Sequence, residues 1–310
     1  MPRLIGAAQA VTSGTQAEQI TTFNSTGTLN TQPRTTTVDY LIVAGGGAGG
    51  STNAGAFEQG GGGGAGGFRT GTAPVAGGSP YPIVVGAGGA SSAGSSANGS
   101  PSSAVGITSA GGGLGSYNAV NAGDGGSGGG GANFADLSGG SGNTPPVSPP
   151  QGNDGGTLPA NIPGSNIGSA GGGGASETGF SRGEPPSPTP ANDTGGKGGD
   201  GSPSTISGSD VTYAGGGGGG GFYPGAGGAG GGGNGGSHPT VGSISGVAGT
   251  TNRGGGGGGV YANPGTTEKG GAGGSGIVVI KEPAVDFAEA SSVWDLRTVF
   301  RLVKAGDWTN

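Results

Sequence analysis

Gly45, Gly47 and Gly50 spell G-x-G-x-x-G at the end of an apolar run, VDYLIVAGGGAGG, over residues 38–50. In a dinucleotide-binding unit such glycines let the backbone approach a pyrophosphate held at a helix N-terminus. The motif needs a helix after its third glycine and an acidic residue about 20 positions further on. Here only nine residues, STNAGAFEQ, separate Gly50 from the next glycine run, and Gly55 interrupts them. The nearest acid, Glu58, comes too early. Each interior glycine costs a helix about 1 kcal/mol relative to alanine, so no crossover helix fits. The strand is retained and the nucleotide site is not.

Other reactive side chains are sparse. His238, the single histidine, sits between Ser237 and Pro239 and reads as a solvated loop residue. Without a cysteine or a second histidine there is no transition-metal ligand set. The acids Asp124, Asp136, Asp154, Glu177, Glu184, Asp193, Asp200 and Asp210 are scattered. A glycosidase needs two carboxyls about 5–9 Å apart, and nothing in the spacing singles out a pair. GDGG at 123–126 and GGDG at 198–201 lack the strict nonapeptide period of calcium-binding glycine repeats. The expectation is no enzyme, no cofactor and no metal. Binding is the better class, because rigid scaffolds present functional loops. Tyr117, Phe134, Phe180, Tyr223 and Tyr261, with neighbouring Asn, Ser and Asp, suit stacking on and hydrogen bonding to sugars or outer-membrane loops. Each taken alone reads first as a packing residue at the end of a glycine tract, and only as a set do they read as receptor contacts.

The elements that would position these residues are set by composition. Of 310 residues, 88 are Gly and 21 Pro, and only 29% are hydrophobic. Glycine ordinarily makes up roughly 7% of a chain. No conventional core of Leu, Ile and Phe can be assembled; the chain is either a set of glycine linkers or a fold packed from glycine backbone. Collagen is excluded, since residues 215–221 and 254–259 are unbroken glycine and no every-third-residue period exists. A net charge of −6 argues against nucleic acid. No apolar run approaches the roughly 20 residues that span a membrane, and residues 4–11 make a poor signal peptide.

Three β-branched runs flank the glycine: 36–43 (TTVDYLIV), 81–85 (YPIVV) and 276–281 (GIVVIK). Residues 68–72 (FRTGT) add a fourth strand. The first and last runs are expected to pair and close one domain. Between them, glycine tracts alternate with polar loops such as 143–154 and 182–194. Polyproline II geometry makes no internal hydrogen bonds and rises about 3.1 Å per residue. Rods of polyglycine II can therefore satisfy their N–H and C=O groups only by bonding to neighbouring rods, and a Cβ would hold those rods apart. The expected fold is irregular to mainly β: packed glycine-rich polyglycine-II helices bracketed by short strands, with a short C-terminal α-helix. The expected divisions are an extended segment at 1–35, the glycine-rich domain at 36–282 and an attachment segment at 283–310. Residues 21–29 read as a strand or hairpin feeding Thr36.

The ordered set TTVDYLIVAGGGAGG, GGGGGAGGFRTGTAPVAGGSPYPIVVGAGG, DTGGKGGDGS, TYAGGGGGGG and GGAGGSGIVVIKE resembles the glycine-rich domain of bacteriophage virion proteins. More loosely, it is similar to the polyglycine-II sandwich of adhesins at the tips of phage long tail fibres. The resemblance covers residues 36–282. It implies a virion location, with loops at the distal edge of the rods contacting a bacterial surface glycan or outer-membrane protein. The rival reading is a purely structural virion component, a capsid decoration or a tail or fibre connector. The flanks do not match the adhesins' fibre-attachment region. The C-terminal segment holds both Trp residues, and its Val293, Trp294, Leu296, Val299, Phe300 and Val303 include a helically spaced apolar stripe. That stripe would pack on its own domain, on another virion protein, or on a second copy of the chain.

Overall fold

The computed structural model describes residues 12–52, 59–118, 120–132, 138–158, 168–183, 193–262 and 268–289. Its strands are β1 (Thr12–Gln16), β2 (Gln19–Phe23), β3 (Gly27–Asn30), β4 (Thr37–Val43), β5 (Phe68–Pro74), β6 (Pro80–Ile83) and β7 (Ser91–Ser92). They continue with β8 (Ser95–Ser96), β9 (Ser102–Ala104), β10 (Ile107–Ser109), β11 (Ser202–Ser204), β12 (Val211–Tyr213), β13 (Ile277–Glu282) and β14 (Val285–Glu289). The fold is mainly β and irregular, and no α-helix occurs among the described residues.

The β-branched runs make one antiparallel sheet in the order β2-β13-β4-β5. As expected, the first and last runs pair, with Ile277 opposite Val43 and Lys281 opposite Asp39. The 68–72 run is a strand and adds to β4, while β6 pairs with β3. Residues 21–29 do not form a hairpin: β2 borders β13 and β3 borders β6. The sheet's two faces bury different residues, as a period of two requires. Val38, Tyr40, Ile42, Val278 and Ile280 pack with Leu29 and Ile83 on one face. Leu41, Val43, Ile277 and Val279 pack with Tyr213 and Ala65 on the other. The small apolar content is spent here, on one sheet covered on both sides.

The C-terminal segment begins as a strand, β14 paired with β1, not a helix. The helix expected over 293–303, with Val293, Trp294, Leu296, Val299, Phe300 and Val303, lies outside the described residues.

The glycine tracts leave the sheet and bond sideways. Gly60, Gly63 and Gly66 donate to the carbonyls of Val260, Gly257 and Gly254; Gly61, Gly64 and Gly67 donate to Ser116, Gly113 and Ala110; Gly62 and Ala65 donate to Ala170 and Gly173. The carbonyls follow the same rule. Those of Gly60 and Gly63 accept from Gly220 and Gly217, those of Gly61 and Gly64 from Gly50 and Gly47, and those of Gly62 and Ala65 from Gly130 and Ser127. Partners therefore recur every three residues, and this tract is bonded to six others. The tract at 45–50 behaves likewise, its donors cycling through Ser100, Gly274, Gly64, Ala97, Gly271 and Gly61. A strand would offer its groups to only two sides, and an α-helix would consume them internally. The donors of the G-x-G-x-x-G stretch are all used in this way, which leaves none for a phosphate.

Packing is too close for side chains. A Cβ on Gly62 would meet the carbonyl of Gly217, and one on Gly256 the carbonyl of Gly63. At the lattice edge the rule relaxes. Residues 177–183 (ETGFSRG), which contain only two glycines, also join the lattice: Gly171 donates to the Phe180 carbonyl, Phe180 to Lys197 and Gly183 to Thr194. The polar stretch at 132–170 is likewise not all loop, since Gly140 donates to Gly129 and Gly155 to Gly140.

Candidate functional site

The two ends of the rods differ. One end runs into the sheet: Val43 continues to Gly45, Gly67 leads into Phe68, and Gly276 leads into Ile277. At the other end, Gly50, Gly60, Ser116, Gly130, Gly220 and Val260 are neighbours through the bonds above. From this far end the described chain departs at Thr52, Ala132, Leu158, Gly183 and Ala262, and it returns at Gln59, Ser138, Gly168, Asp193 and Glu268. The turns at 117–120 and 237–243 lie there too: Tyr117 and Val120 exchange backbone bonds, and Ser237 donates to Ser243. These departures, returns and turns share one end of the rods, whereas the loop at 143–151 lies at the sheet end, where Phe68 donates to the Gln151 carbonyl.

The sequence-selected aromatic residues divide. Tyr223 and Tyr261 are brought together, linked by two residues the sequence reading did not select. The Phe222 ring meets Tyr223 edge-on at 5.1 Å and stacks on the His238 imidazole at 4.6 Å. His238 in turn meets Tyr261 edge-on at 5.5 Å. His238 is half-buried in this cluster rather than solvated. Its Nδ1 lies 2.7 Å from the Thr240 hydroxyl and 3.2 Å from the Thr240 amide nitrogen. Tyr261 is 1% exposed. Burial, and then the Asp193 carboxylate, hold its hydroxyl above the usual tyrosine range. The adjacent Phe222-Tyr223 pair following seven glycines was the signal available for this cluster.

Tyr117 stands apart, buried, with its hydroxyl accepting the Ser96 amide at 3.2 Å. Phe180 is on the flank of the lattice, half-buried, with the Lys197 ammonium 5.4 Å from its ring centre. Phe134 lies outside the described residues.

The acids act on backbone amides. Asp124 accepts from Ser141, Asp154 from Gly142 and Asp200 from Ala229. Each ties one tract to the next, and the Asp200 and Glu177 carboxylates share the Lys197 ammonium at 2.8 and 3.4 Å. Among the described residues no three His, Asp or Glu side chains converge as metal ligands.

A mainly β, glycine-rich scaffold defines the class. The chain belongs to the family described as the glycine-rich domain, which matches residues 21–282. No curated protein matches it.

Proposed function

We propose that the chain is a bacteriophage virion protein, a tail-associated or fibre-tip adhesin whose polyglycine-II body presents loops to the host surface. The observation that carries this is that the described chain departs and returns five times at one end of the hydrogen-bonded rods, opposite the sheet. The three-residue recurrence of bonding partners supports polyglycine II, whose repeat is three. A rigid lattice holds such loops with little entropy left to lose on binding. Half-buried Phe222, Tyr223 and His238 offer ring faces for sugars or apolar side chains of an outer-membrane protein. Asp124, Asp154 and Asp200 are engaged by backbone amides, and Glu177 and Asp200 by Lys197, which favours binding over catalysis. In this reading residues 283–310, through the stripe from Val293 to Val303, attach the domain within the particle.

A structural virion component is the second reading. It is favoured by Tyr117 and Tyr261, which are sealed into packing and offer nothing to a receptor. One experiment separates the two. Residues 133–137, 159–167 and 184–192 are replaced by short Gly-Ser turns, leaving every described rod in place. Under the adhesin reading the particles assemble but no longer adsorb to cells, and the purified variant fails to compete with whole phage for the surface. Normal adsorption by the altered particles leaves the structural reading standing.

A further inference from the structure

Five buried residues have polar side-chain atoms with no hydrogen-bond partner among the described residues: Thr52, Gln59, Ser127, Arg182 and Glu282. Thr52, Gln59 and Arg182 stand at the far end, where the loops emerge. Arg182 is exceptional among them. It is 6% exposed, and its Nε, Nη1 and Nη2 are all unpartnered. Buried polar groups in folded proteins are almost always bonded, so each exception calls for a physical cause.

Its place in the tract locates this side chain. A Cβ on Gly179 would face the Gly171 carbonyl and the Gly156 amide. Arg182 follows three residues later, in the turn that ends this tract at the far end, where Gly183 has a φ of +69°. There the two flanking tracts pass into Leu158 and Gly168. Arginine stays protonated in proteins. Burial pushes Arg182 below the usual arginine value, and no anion among the described residues compensates. If the role were packing alone, an apolar side chain would serve better, because a buried unpaired charge is strongly destabilising. A guanidinium with its planar fork of donors free is complementary to the two oxygens of a carboxylate or phosphate.

We propose that Arg182 is the floor of an oxyanion site at the far end, taking the carboxylate or phosphate group of an acidic saccharide. The cell surface as the source of that group rests on the adhesin reading; the site itself does not.

The full chain is tested by calorimetry and thermal unfolding with inorganic phosphate, glucuronic acid and, as a neutral control, glucose. Saturable binding of phosphate or glucuronate, absent for glucose, is expected for the wild type. Stronger response to glucuronate identifies a carboxylate ligand, and to phosphate a phosphorylated one. In Arg182→Gln the affinity falls at least about tenfold, leaving only the unsaturable stabilisation that phosphate gives any protein by exclusion from its surface. Should that variant fail to fold, Arg182→Lys carries the same test, since it keeps the charge but loses the fork. Equal responses in wild type and variant, or none in the wild type, overturn the site. Probe binding lost in the variant while its particles adsorb normally keeps the site and rejects the adhesin reading.

Discussion

Glycine serves two different purposes in this chain, and single substitutions separate them. Gly208 is exposed in a turn with φ of +86° and nothing near its missing Cβ, so only backbone conformation calls for glycine there. Gly218 has no positive φ, but a Cβ on it would collide with the Gly225 carbonyl. Gly208→Ala should cost about 1 kcal/mol, the penalty for a left-handed non-glycine residue. Gly218→Ala should cost about 3 kcal/mol or more, because overpacking forces two rods apart and weakens the bonds between them. Denaturant midpoints of the two variants check this. Equal costs would mean that the rods are not in contact. Arg182 and His238 show where residue-level reading stopped: isolated charged or aromatic residues in loops carry no sequence signal of burial.

At the scale of elements, the rods lack side chains to cap them, and polar residues at their ends do that work. Asp200 accepts the Ala229 amide at 2.8 Å and pairs with Lys197 at 2.8 Å, while Glu177 accepts the Asp200 amide at 3.1 Å. Burial pushes the Asp200 carboxyl up, but the Lys197 hydrogen bond, the Ala229 amide and the Lys197 charge together hold it below the usual range. A carboxyl lowered on folding stabilises above its unfolded value of about 4 and loses that contribution as pH falls through the folded value. Asp200 is 39% exposed, so the amount is under about 1 kcal/mol after screening. Asp200→Asn should therefore unfold below wild type at neutral pH, with the gap closing between about pH 5 and pH 2. Melting curves across that range check it, and a constant gap would assign the effect to packing instead. The strands were legible because TVDYLIV and IVVIKE are β-branched and bounded by glycine. Residues 177–183 were not, because an edge rod has an open side and needs no glycine pattern.

Across the whole molecule, bonded rods are distant in sequence: Gly49 donates to Gly271, and Gly62 to Ala170. No tract can fold alone, since ordering each residue costs about 1–2 kcal/mol and the bonds that offset this belong to other tracts. The described lattice and sheet should unfold in one transition, with calorimetric and van't Hoff enthalpies equal. Amides of residues 60–67, bonded to six neighbours, should exchange at the rate of global opening. Exchange there as fast as in a free glycine peptide would dismiss the lattice.

What the sequence determined by itself is the material and its limits. The glycine content excluded a conventional apolar core for most of the chain, unbroken tracts excluded collagen, and two β-branched runs at either end of the glycine specified the closing sheet. Those inferences rest on local sterics and on periodicity, which a single chain carries openly. Tertiary structure alone decided which tracts bond, and that Phe222, Tyr223, His238 and Tyr261 form one cluster while Tyr117 and Phe180 stand apart. Glycine tracts are interchangeable in sequence, so nothing local distinguishes one neighbour from another. Their pairing is selected by connection lengths, by the sheet that anchors one end, and by the requirement that every buried N–H find a carbonyl.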